Sequence, residues 1–363
     1  MTEEREIVSV SLPLAGGVFL GTFLMAFPAW QHAASALHAV AGVCALLPAA
    51  ALLLLLSGRG RRYAAVAVLF GCIGLLCGVT GGLDGRSFGP DPAAGEVLRS
   101  QVRSIPFPSG QTGALVLALM TGDRSGLEQE TVRVFRESGA SHILALSGLH
   151  LGILYLLLLW LTKPLGNGLW TRRLRSVFLI LAAGAYTWMT GAAPSLVRAF
   201  LFILLRELAL LLERHPSPVR VLCGALTLQL TLDPSVVSSA GFQLSYLAMA
   251  GIVLVLPRLQ AWYPSEGPRK DRWNLPRRMW EMMALSISCQ LFTGPLAWLR
   301  FGTFPKYFLL TNLLAMPMTS ALVILSAGCT FLSAIGLCPA WLVAADDAVA
   351  RLLLQVLGII ASM

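Results

Sequence analysis

The feature that most constrains this chain is a succession of long apolar segments that recurs from Leu12 to Ile360. Hydrophobic residues make up 56% of the sequence and charged residues 12%, whereas a soluble domain carries roughly 25% charged residues. A membrane β-barrel would show alternating segments of about ten residues, and these runs are continuous instead. Because lipid cannot satisfy backbone polar groups, the sequence predicts an all-α fold, a polytopic transmembrane helical bundle.

A helix needs about 20 apolar residues to cross a bilayer, and this criterion predicts about ten to eleven spans with short interrupted or re-entrant segments. The predicted spans are Leu12–Trp30, Ala33–Leu56, Ala64–Leu83, His142–Leu161, Ser176–Thr190, Leu196–Leu212, Val219–Asp233, Phe242–Leu256, Met282–Leu299, Tyr307–Leu337 and Ala340–Ile360. The span Val219–Asp233 is short. The long segment Tyr307–Leu337 contains Pro317, which predicts a half-helix followed by a full span. Segments of both kinds often border transport sites.

The basic residues predict a cytoplasmic N-terminus. Alternating crossings place four basic loops on one side of the membrane, and these loops hold more than half of the 27 basic residues. They are Arg59–Arg62, Lys163–Arg175, Arg214–Arg220 and Arg258–Arg278. An excess of Lys and Arg marks cytoplasmic loops, so the net charge of +9 is a topological signal before it is evidence for an anionic partner.

Composition divides the chain into three regions: N-terminal transmembrane helices (1–83), an extracytoplasmic connector (84–137) and a transmembrane core (138–363). Within the connector, Gly85–Gln111 is polar and rich in Pro and Gly, which predicts a loop. The apolar stretch Thr112–Gly122 is too short to span and predicts an interfacial or re-entrant helix. The following SGLEQETVRVFR predicts an amphipathic helix capped by Ser125, with Glu128 completing a capping box.

The stretch Glu137–Gly152, ESGASHILALSGLHLG, places polar residues inside an apolar run. One interpretation of His142, Ser147 and His150 is a tightly packed helix whose histidines are satisfied. The other is a broken or polar-lined helix on a substrate path, because polar groups at membrane depth usually face a bundle interior or a wet cavity. Gly148 and Gly152 form a small-xxx-small pair, which predicts a close approach of another helix.

Three further polar residues are candidates for the same path. Arg198 follows a helix start in GAAPSLVRAF, and either it snorkels to the headgroups or it contacts a phosphate or carboxylate. Arg206 lies deeper in its apolar run, where an arginine costs about 2.5–3.5 kcal/mol on insertion scales, so we expect a partner on another helix or a wet path. Gln243 lies near a helix start, and either it forms a hydrogen bond between helices or it lines the substrate path.

Motifs of enzymes and metal sites are mostly missing from the sequence. The seven cysteines show no CxxC or Cys/His ligand spacing, which predicts apolar packing, no metal and no cofactor. HExxH, Walker A and GxSxG patterns are absent, so we predict that the chain is not an enzyme. Ser147 and His150 leave one alternative, an intramembrane hydrolase that uses this serine and histidine.

Four segments in order resemble the ComEC competence family of bacterial DNA uptake. They are TGDRSGLEQETVRVFRESGASHILALSGLHLGIL (Thr121–Leu154), GAAPSLVRAF (Gly191–Phe200), DPSVVSSAGFQLSYLAMAG (Asp233–Gly251) and FGTFPKYFLLTNLLAMP (Phe301–Pro317). The resemblance implies a multi-pass channel component of the bacterial inner membrane that carries single-stranded DNA to the cytosol during natural competence. On this interpretation the substrate path is lined by His142, Ser147, His150, Arg198, Arg206 and Gln243.

The sequence departs from the family pattern in two places. The connector leaves no room for the OB-like domain of many members, and no HxHxDH cluster of a metallo-β-lactamase-like domain precedes Met363. We therefore expect a short form of the family or a fragment. The expected partners are single-stranded DNA, the lipid bilayer and other DNA-uptake proteins, including a separate cytosolic motor because no ATP site is present. A transporter of a smaller anionic solute remains the alternative, and the oligomeric state stays open.

Overall fold

The computed structural model describes residues 10–20, five positions between 68 and 75, and residues 92–363 apart from 145, 167, 216, 264–273 and 303–306. The predicted span Ala33–Leu56, and most of the predicted spans Leu12–Trp30 and Ala64–Leu83, lie outside these residues. Within the described part of the chain the regular secondary structure is entirely helical. The all-helical fold class is therefore confirmed.

The helices follow one another along the chain with short connections. They are α1 (Val10–Leu20), α2 (Pro92–Arg103), α3 (Gly110–Thr121), α4 (Gln129–Glu137), α5 (Ser141–Leu144), α6 (Gly148–Thr162), α7 (Leu169–Met189), α8 (Pro194–Leu211), α9 (Pro218–Leu232), α10 (Ala240–Leu254), α11 (Leu256–Ala261), α12 (Leu275–Phe301), α13 (Phe308–Ala334) and α14 (Ala340–Ala361). Short 3₁₀ turns follow α6 at Lys163–Leu165 and α9 at Pro234–Ser238.

Four stretches among the described residues are long and apolar enough to cross a membrane: Gly148–Leu165, Ala240–Ala261, Leu275–Phe301 and Phe308–Ala334. At 1.5 Å per residue, the two 27-residue helices α12 and α13 are each about 40 Å long. Helices α7, α8 and α14 reach 18 to 22 residues but carry several ionisable side chains. The helical membrane bundle is confirmed, while the count of ten to eleven spans stays a prediction.

The chain forms two compact units. The larger combines Gly89–Glu207 with Leu247–Met363, and the smaller combines Met1–Phe88 with Leu208–Tyr246. The main hydrophobic core of the larger unit joins α3 to α13 and α14, where Leu115 and Leu119 pack with Leu322 and Leu353. Every residue of α3 from Leu115 to Thr121 is therefore buried within the protein.

The connector forms more helix than the sequence predicts. Residues 92–103 of the predicted loop Gly85–Gln111 form α2, because Leu98 and Val102 lie one turn apart and bury their side chains in the core. At the turn between α2 and α3, Ile105 packs with Cys329 and Leu342. A helix is confirmed over the predicted stretch Thr112–Gly122 as α3, which is buried among other helices. Its interfacial or re-entrant placement stays a prediction.

Two local predictions are wrong. α4 begins at Gln129 with Glu128 before it, and Ser125 donates its hydroxyl hydrogen over 2.6 Å to Asp123 instead of capping the helix. The nearer aspartate competes for the hydroxyl, so the predicted capping box does not form. Pro317 does not divide Tyr307–Leu337 into two segments, because α13 continues through it from Phe308 to Ala334. A proline is tolerated inside a transmembrane helix when neighbouring helices and side chains satisfy the backbone groups that it frees.

Candidate functional site

The central stretch contains a break between two helices. α5 ends at Leu144 and α6 begins at Gly148, with Ser147 in extended conformation at the N-cap. The prediction of one continuous helix over His142–Leu161 is wrong, because the helix is broken before Gly148. That the broken helix lies on a substrate path stays a prediction. A serine followed by glycine favours an N-cap over a helix interior, because serine binds backbone groups and glycine is a weak helix former.

Side chains from two other segments hold the backbone at this break. The Nε of Arg124 donates to the carbonyl oxygen of Leu144 over 3.1 Å. The hydroxyl of Ser195, in the first turn of α8, donates to the carbonyl oxygen of Leu146 over 2.5 Å. Carbonyl groups freed by a helix break need such partners in an apolar environment. The broken backbone is thereby fixed from two directions.

His150 is fully buried in the first turn of α6. Its Nδ1 accepts a hydrogen bond from the backbone N–H of Ser147 over 3.1 Å, and the Ser147 hydroxyl lies 3.1 Å from the same nitrogen. An Nδ1 that accepts leaves the ring proton of a neutral imidazole on Nε2. His150 thus takes the position that Glu or Gln occupies in a capping box. His142, on α5, is exposed instead.

Gly148 lies where α6 approaches α8. A Cβ atom added to Gly148 would lie 3.1 Å from the Cβ of Ala199, which is tighter than most real contacts. An atom added to Gly152 would meet nothing within 4 Å. The two glycines of the predicted pair therefore have different surroundings. Arg198, next to Ala199, keeps only 2% of its surface exposed, which leaves little of it to reach lipid headgroups.

Arg206 is itself exposed, and it joins a polar network across three helices whose other members are buried. Its Nη1 donates over 2.9 Å to the hydroxyl of Tyr155 on α6, and its guanidinium lies 5.6 Å from the centre of that ring. The Tyr155 hydroxyl donates in turn to Glu207, which also accepts from Ser176 on α7 over 2.6 Å. The expected partner of Arg206 on another helix is thus Tyr155.

Gln243 lies in the smaller unit, at the start of α10. Its side-chain amide donates over 2.9 Å to the carbonyl oxygen of Val237 in the preceding turn. One turn further along α10, the hydroxyl of Tyr246 donates over 3.0 Å to Gln229 of α9. Tyr246 therefore links two helices, which is the role that the sequence suggested for Gln243.

Sequence reasoning missed a pair of carboxylates in α14. Asp346 and Asp347 are both fully buried. Asp346 accepts from the hydroxyl of Ser326 on α13, with distances of 3.1 and 3.0 Å to its two oxygens. One oxygen of Asp347 pairs with Arg351, and the other is buried without a hydrogen-bond partner. The sequence pattern could have identified this pair, because ionisable residues within an apolar membrane segment are by default candidates for a functional site.

A polar pocket of about 600 Å³ lies beside the helix break. Its lining residues are Arg99, Thr121, Gly122, Asp123, Arg124, Leu146, Thr190 and Ala193. The pocket therefore joins α2, the end of α3, the break itself and the loop between α7 and α8. In the loop after α3, hydrogen bonds from the Ser125 hydroxyl and backbone lower the pKa of Asp123, and the nearby Arg103 lowers it further.

A second pocket, of about 550 Å³, is lined mainly by apolar side chains of α12 and by Phe308. Among the described residues no group of three or more His, Cys, Asp or Glu side chains is placed to hold a metal ion.

Comparison with known proteins connects these features to a family. A family model described as "Competence protein" matches residues 119–363. ComE operon protein 3 of Bacillus subtilis is 30% identical over 211 residues, which cover 58% of this chain and 25% of that protein. Recombination protein 2 of Haemophilus influenzae is 26% identical over 218 residues, covering 58% of this chain and 27% of that protein. No solved structure matches the chain.

The apolar helices and the buried polar residues between them define a helical membrane protein. The chain belongs to the competence protein family, whose model covers two thirds of it and includes the helix break, α8 and the α13–α14 pair. It spans about a quarter of the length of the two relatives named above.

Proposed function

We propose that this chain forms part of a channel that carries single-stranded DNA across the bacterial inner membrane during natural competence. Family membership supports a role in DNA uptake. The observation that carries the channel role is the break between α5 and α6, which lies beside a polar pocket within a bundle of apolar helices. Interrupted helices often form substrate sites in membrane transporters.

The chemistry of DNA explains why such a break is useful. A DNA strand is a polyanion and needs a path with cationic or hydrogen-bonding walls through the hydrocarbon. We infer that His142, Ser147, His150, Arg198 and Arg206 supply such groups in the larger unit, around the break and not in the lining of the pocket itself. The place of Gln243 on the path stays a prediction. A separate cytosolic protein would act as the motor, and the N-terminus would face the cytoplasm.

Two other functions have an observation in their favour. The pocket volume lies within the roughly 300–1,000 Å³ of small-molecule sites, so a smaller anionic solute is the alternative cargo. The separation of 3.1 Å between Ser147 Oγ and His150 Nδ1 fits a serine hydrolase. The backbone N–H of Ser147 already donates to that nitrogen, so capping competes with general-base action.

Uptake of DNA labelled on one strand tests the proposal. Deletion of the gene in the host should abolish entry of the labelled strand, and the wild-type gene should restore it. Normal uptake in the deletion strain would overturn the channel role. Loss of a small anion's transport with unchanged DNA uptake would favour the alternative cargo. Labelling of wild-type protein but not Ser147→Ala by a serine-reactive probe would favour the hydrolase.

Arg198 provides a test within the channel. A phosphate contact predicts that Arg198→Lys keeps part of the uptake while Arg198→Gln loses it without losing folded protein, because lysine offers only a point charge. A structural pairing predicts that Arg198→Gln lowers the amount of folded protein, since breaking a buried pair costs about 3–5 kcal/mol. Normal uptake by Arg198→Gln at normal abundance would remove Arg198 from the path.

A further inference from the structure

The pocket beside the helix break contains two arginines in different states of pairing. Arg99 pairs with Glu96 over 2.7 Å on the exposed side of α2, where the glutamate side chain is 60% exposed. Such exposed pairs are weak, so the guanidinium can exchange Glu96 for another anion. The Nε of Arg99 is buried without a hydrogen-bond partner, and this side chain lines the pocket.

One guanidinium nitrogen of Arg124 forms a hydrogen bond to the backbone, and the other two can donate to a ligand. Its Nε is bound to the carbonyl oxygen of Leu144, which positions the guanidinium at the break. That bond leaves both terminal nitrogens as donors. A guanidinium fixed through Nε and open at its terminal nitrogens is suited to a phosphate, which it can bind with two parallel hydrogen bonds.

The other polar groups of the pocket do not cancel this positive charge. Asp123 accepts from Ser125, pairs with Arg103 over 3.0 Å and also attracts Arg99. The three arginines Arg99, Arg103 and Arg124 outnumber this carboxylate. The hydroxyls of Thr121 and Thr190 donate to the carbonyl oxygens of Leu117 and Tyr186. Their hydroxyl hydrogens are therefore not available to an anion, and we assign Arg99 and Arg124 as its donors.

We propose that this pocket binds a phosphodiester group of the incoming single strand, with Arg99 and Arg124 as the binding residues. The assignment rests on the proposed function and makes the pocket a docking point for the strand beside the helix break. A volume of about 600 Å³ lies within the roughly 300–1,000 Å³ of small-ligand sites, which is enough for a phosphodiester group.

Binding of a short fluorescent oligothymidylate to the protein in lipid nanodiscs tests the assignment. Arg99→Gln should weaken binding about tenfold, the loss expected for a charged hydrogen bond. It should also reduce the slope of log affinity against log salt by about 0.7, because one phosphate contact is lost. Arg124→Lys keeps the positive charge but loses the two parallel donors of the guanidinium, so we expect a smaller decrease in affinity than for Arg99→Gln.

The matched control is Arg133→Gln on α4. Arg133 is an exposed arginine, paired with Glu137 over 2.9 Å, that does not line the pocket. Its substitution should leave the affinity unchanged. Thermal unfolding of each variant, compared with wild type, separates a loss of binding from a loss of fold.

A crosslinking experiment locates the strand without any substitution. An oligonucleotide that carries 4-thiothymidine is irradiated on wild-type protein, and the attachment site is found by mass spectrometry. The proposal expects crosslinks within Thr121–Arg124 or at Thr190. Crosslinks only at other helices would overturn it, even if a variant had lost affinity through a change of fold.

The outcomes distinguish the pocket from the general function. Binding by wild type that neither Arg99→Gln nor Arg124→Lys weakens overturns the pocket assignment and leaves the channel proposal standing. Absence of oligonucleotide binding by wild type, together with normal DNA uptake in a deletion strain, overturns both. Inorganic phosphate that competes as strongly as a dinucleotide would assign the pocket to a free anion and overturn the phosphodiester assignment.

Discussion

The hydroxyl of Ser195 donates a hydrogen bond to the carbonyl oxygen of Leu146 and so connects the first turn of α8 to the broken backbone before α6. We predict that Ser195→Ala lowers the free energy of unfolding by about 1–3 kcal/mol, since a buried carbonyl loses its partner. Ser195→Thr should keep most of the stability because its hydroxyl remains. Thermal unfolding in detergent measures the difference, and equal stability of the alanine variant would show that this bond does not hold the break.

The two glycines of α6 should respond differently to the same substitution. Gly148→Leu should prevent normal folding, because even a Cβ there lies 3.1 Å from that of Ala199. Gly152→Leu should be tolerated, since the added carbon meets nothing within 4 Å. The measurement is the yield of folded protein in size-exclusion chromatography. Similar yields for both variants would contradict a close contact of α6 with α8 at Gly148.

The hydroxyl of Tyr155 connects Arg206 to Glu207, so its removal should affect both charges. We predict that Tyr155→Phe destabilises the protein by about 1.5–3 kcal/mol, the value for hydrogen bonds to charged groups. Tyr307→Phe is the control, because that hydroxyl forms one exposed bond of 3.3 Å to the terminal Met363. The double variant Tyr155→Phe, Arg206→Gln should cost less than the sum of the single changes. Strict additivity would show that the residues do not form a network.

The pairing of Asp347 with Arg351 predicts that a second substitution can restore the stability lost by the first. Asp347 is fully buried, whereas the Arg351 side chain is 61% exposed. Arg351→Ala should destabilise because it leaves the buried carboxylate without its partner, by less than the about 3–5 kcal/mol of a fully buried pair because Arg351 is solvent-exposed. Adding Asp347→Asn to the same chain should recover most of the loss. Failure of the second change to rescue would show that Arg351 contributes by packing and not by charge.

Acid should weaken the loop after α3. Hydrogen bonds from Ser125 and the neighbouring Arg103 hold the pKa of Asp123 below its ordinary value. Since the folded pKa is the lower one, the stabilisation is complete above the unfolded pKa of about 3.9 and is lost as the pH falls through the folded pKa. The difference in melting temperature between wild type and Asp123→Asn should therefore be constant near neutral pH and shrink below about pH 4. A constant difference down to pH 2 would contradict the shift.

Apolar periodicity and length were enough to predict most helices of the larger unit. The predicted span Met282–Leu299 falls within α12, because continuous apolar sequence in lipid has few alternatives to a helix. The helix predicted over Ser176–Thr190 is longer in the structure and begins at Leu169, since the arginines at the start of α7 resemble a loop in the sequence. The half-helix at Pro317 was wrong because proline alone does not reveal whether neighbours support the backbone.

The candidate site was harder to predict, because its contacts join distant positions. The sequence singled out Ser147, His150 and Arg206, but nothing local indicates that Arg124 holds the carbonyl of Leu144 or that Tyr155 is the partner of Arg206. Contacts between residues so far apart in the sequence leave no periodic signal. The buried Asp346 and Asp347 did have a local signal, namely two charges in an apolar run.

The burial of α3 has a consequence for how the protein is made. α3 leaves the ribosome long before α13 and α14, the helices that cover Leu115 and Leu119. Until those helices arrive, a 12-residue apolar segment has neither the length to span the bilayer nor a finished core to enter. Its docking must therefore be a late step of assembly, governed by contacts of high sequence separation. A nascent chain arrested before Phe308 should keep α3 accessible to protease or to a chaperone, whereas the released chain should protect it.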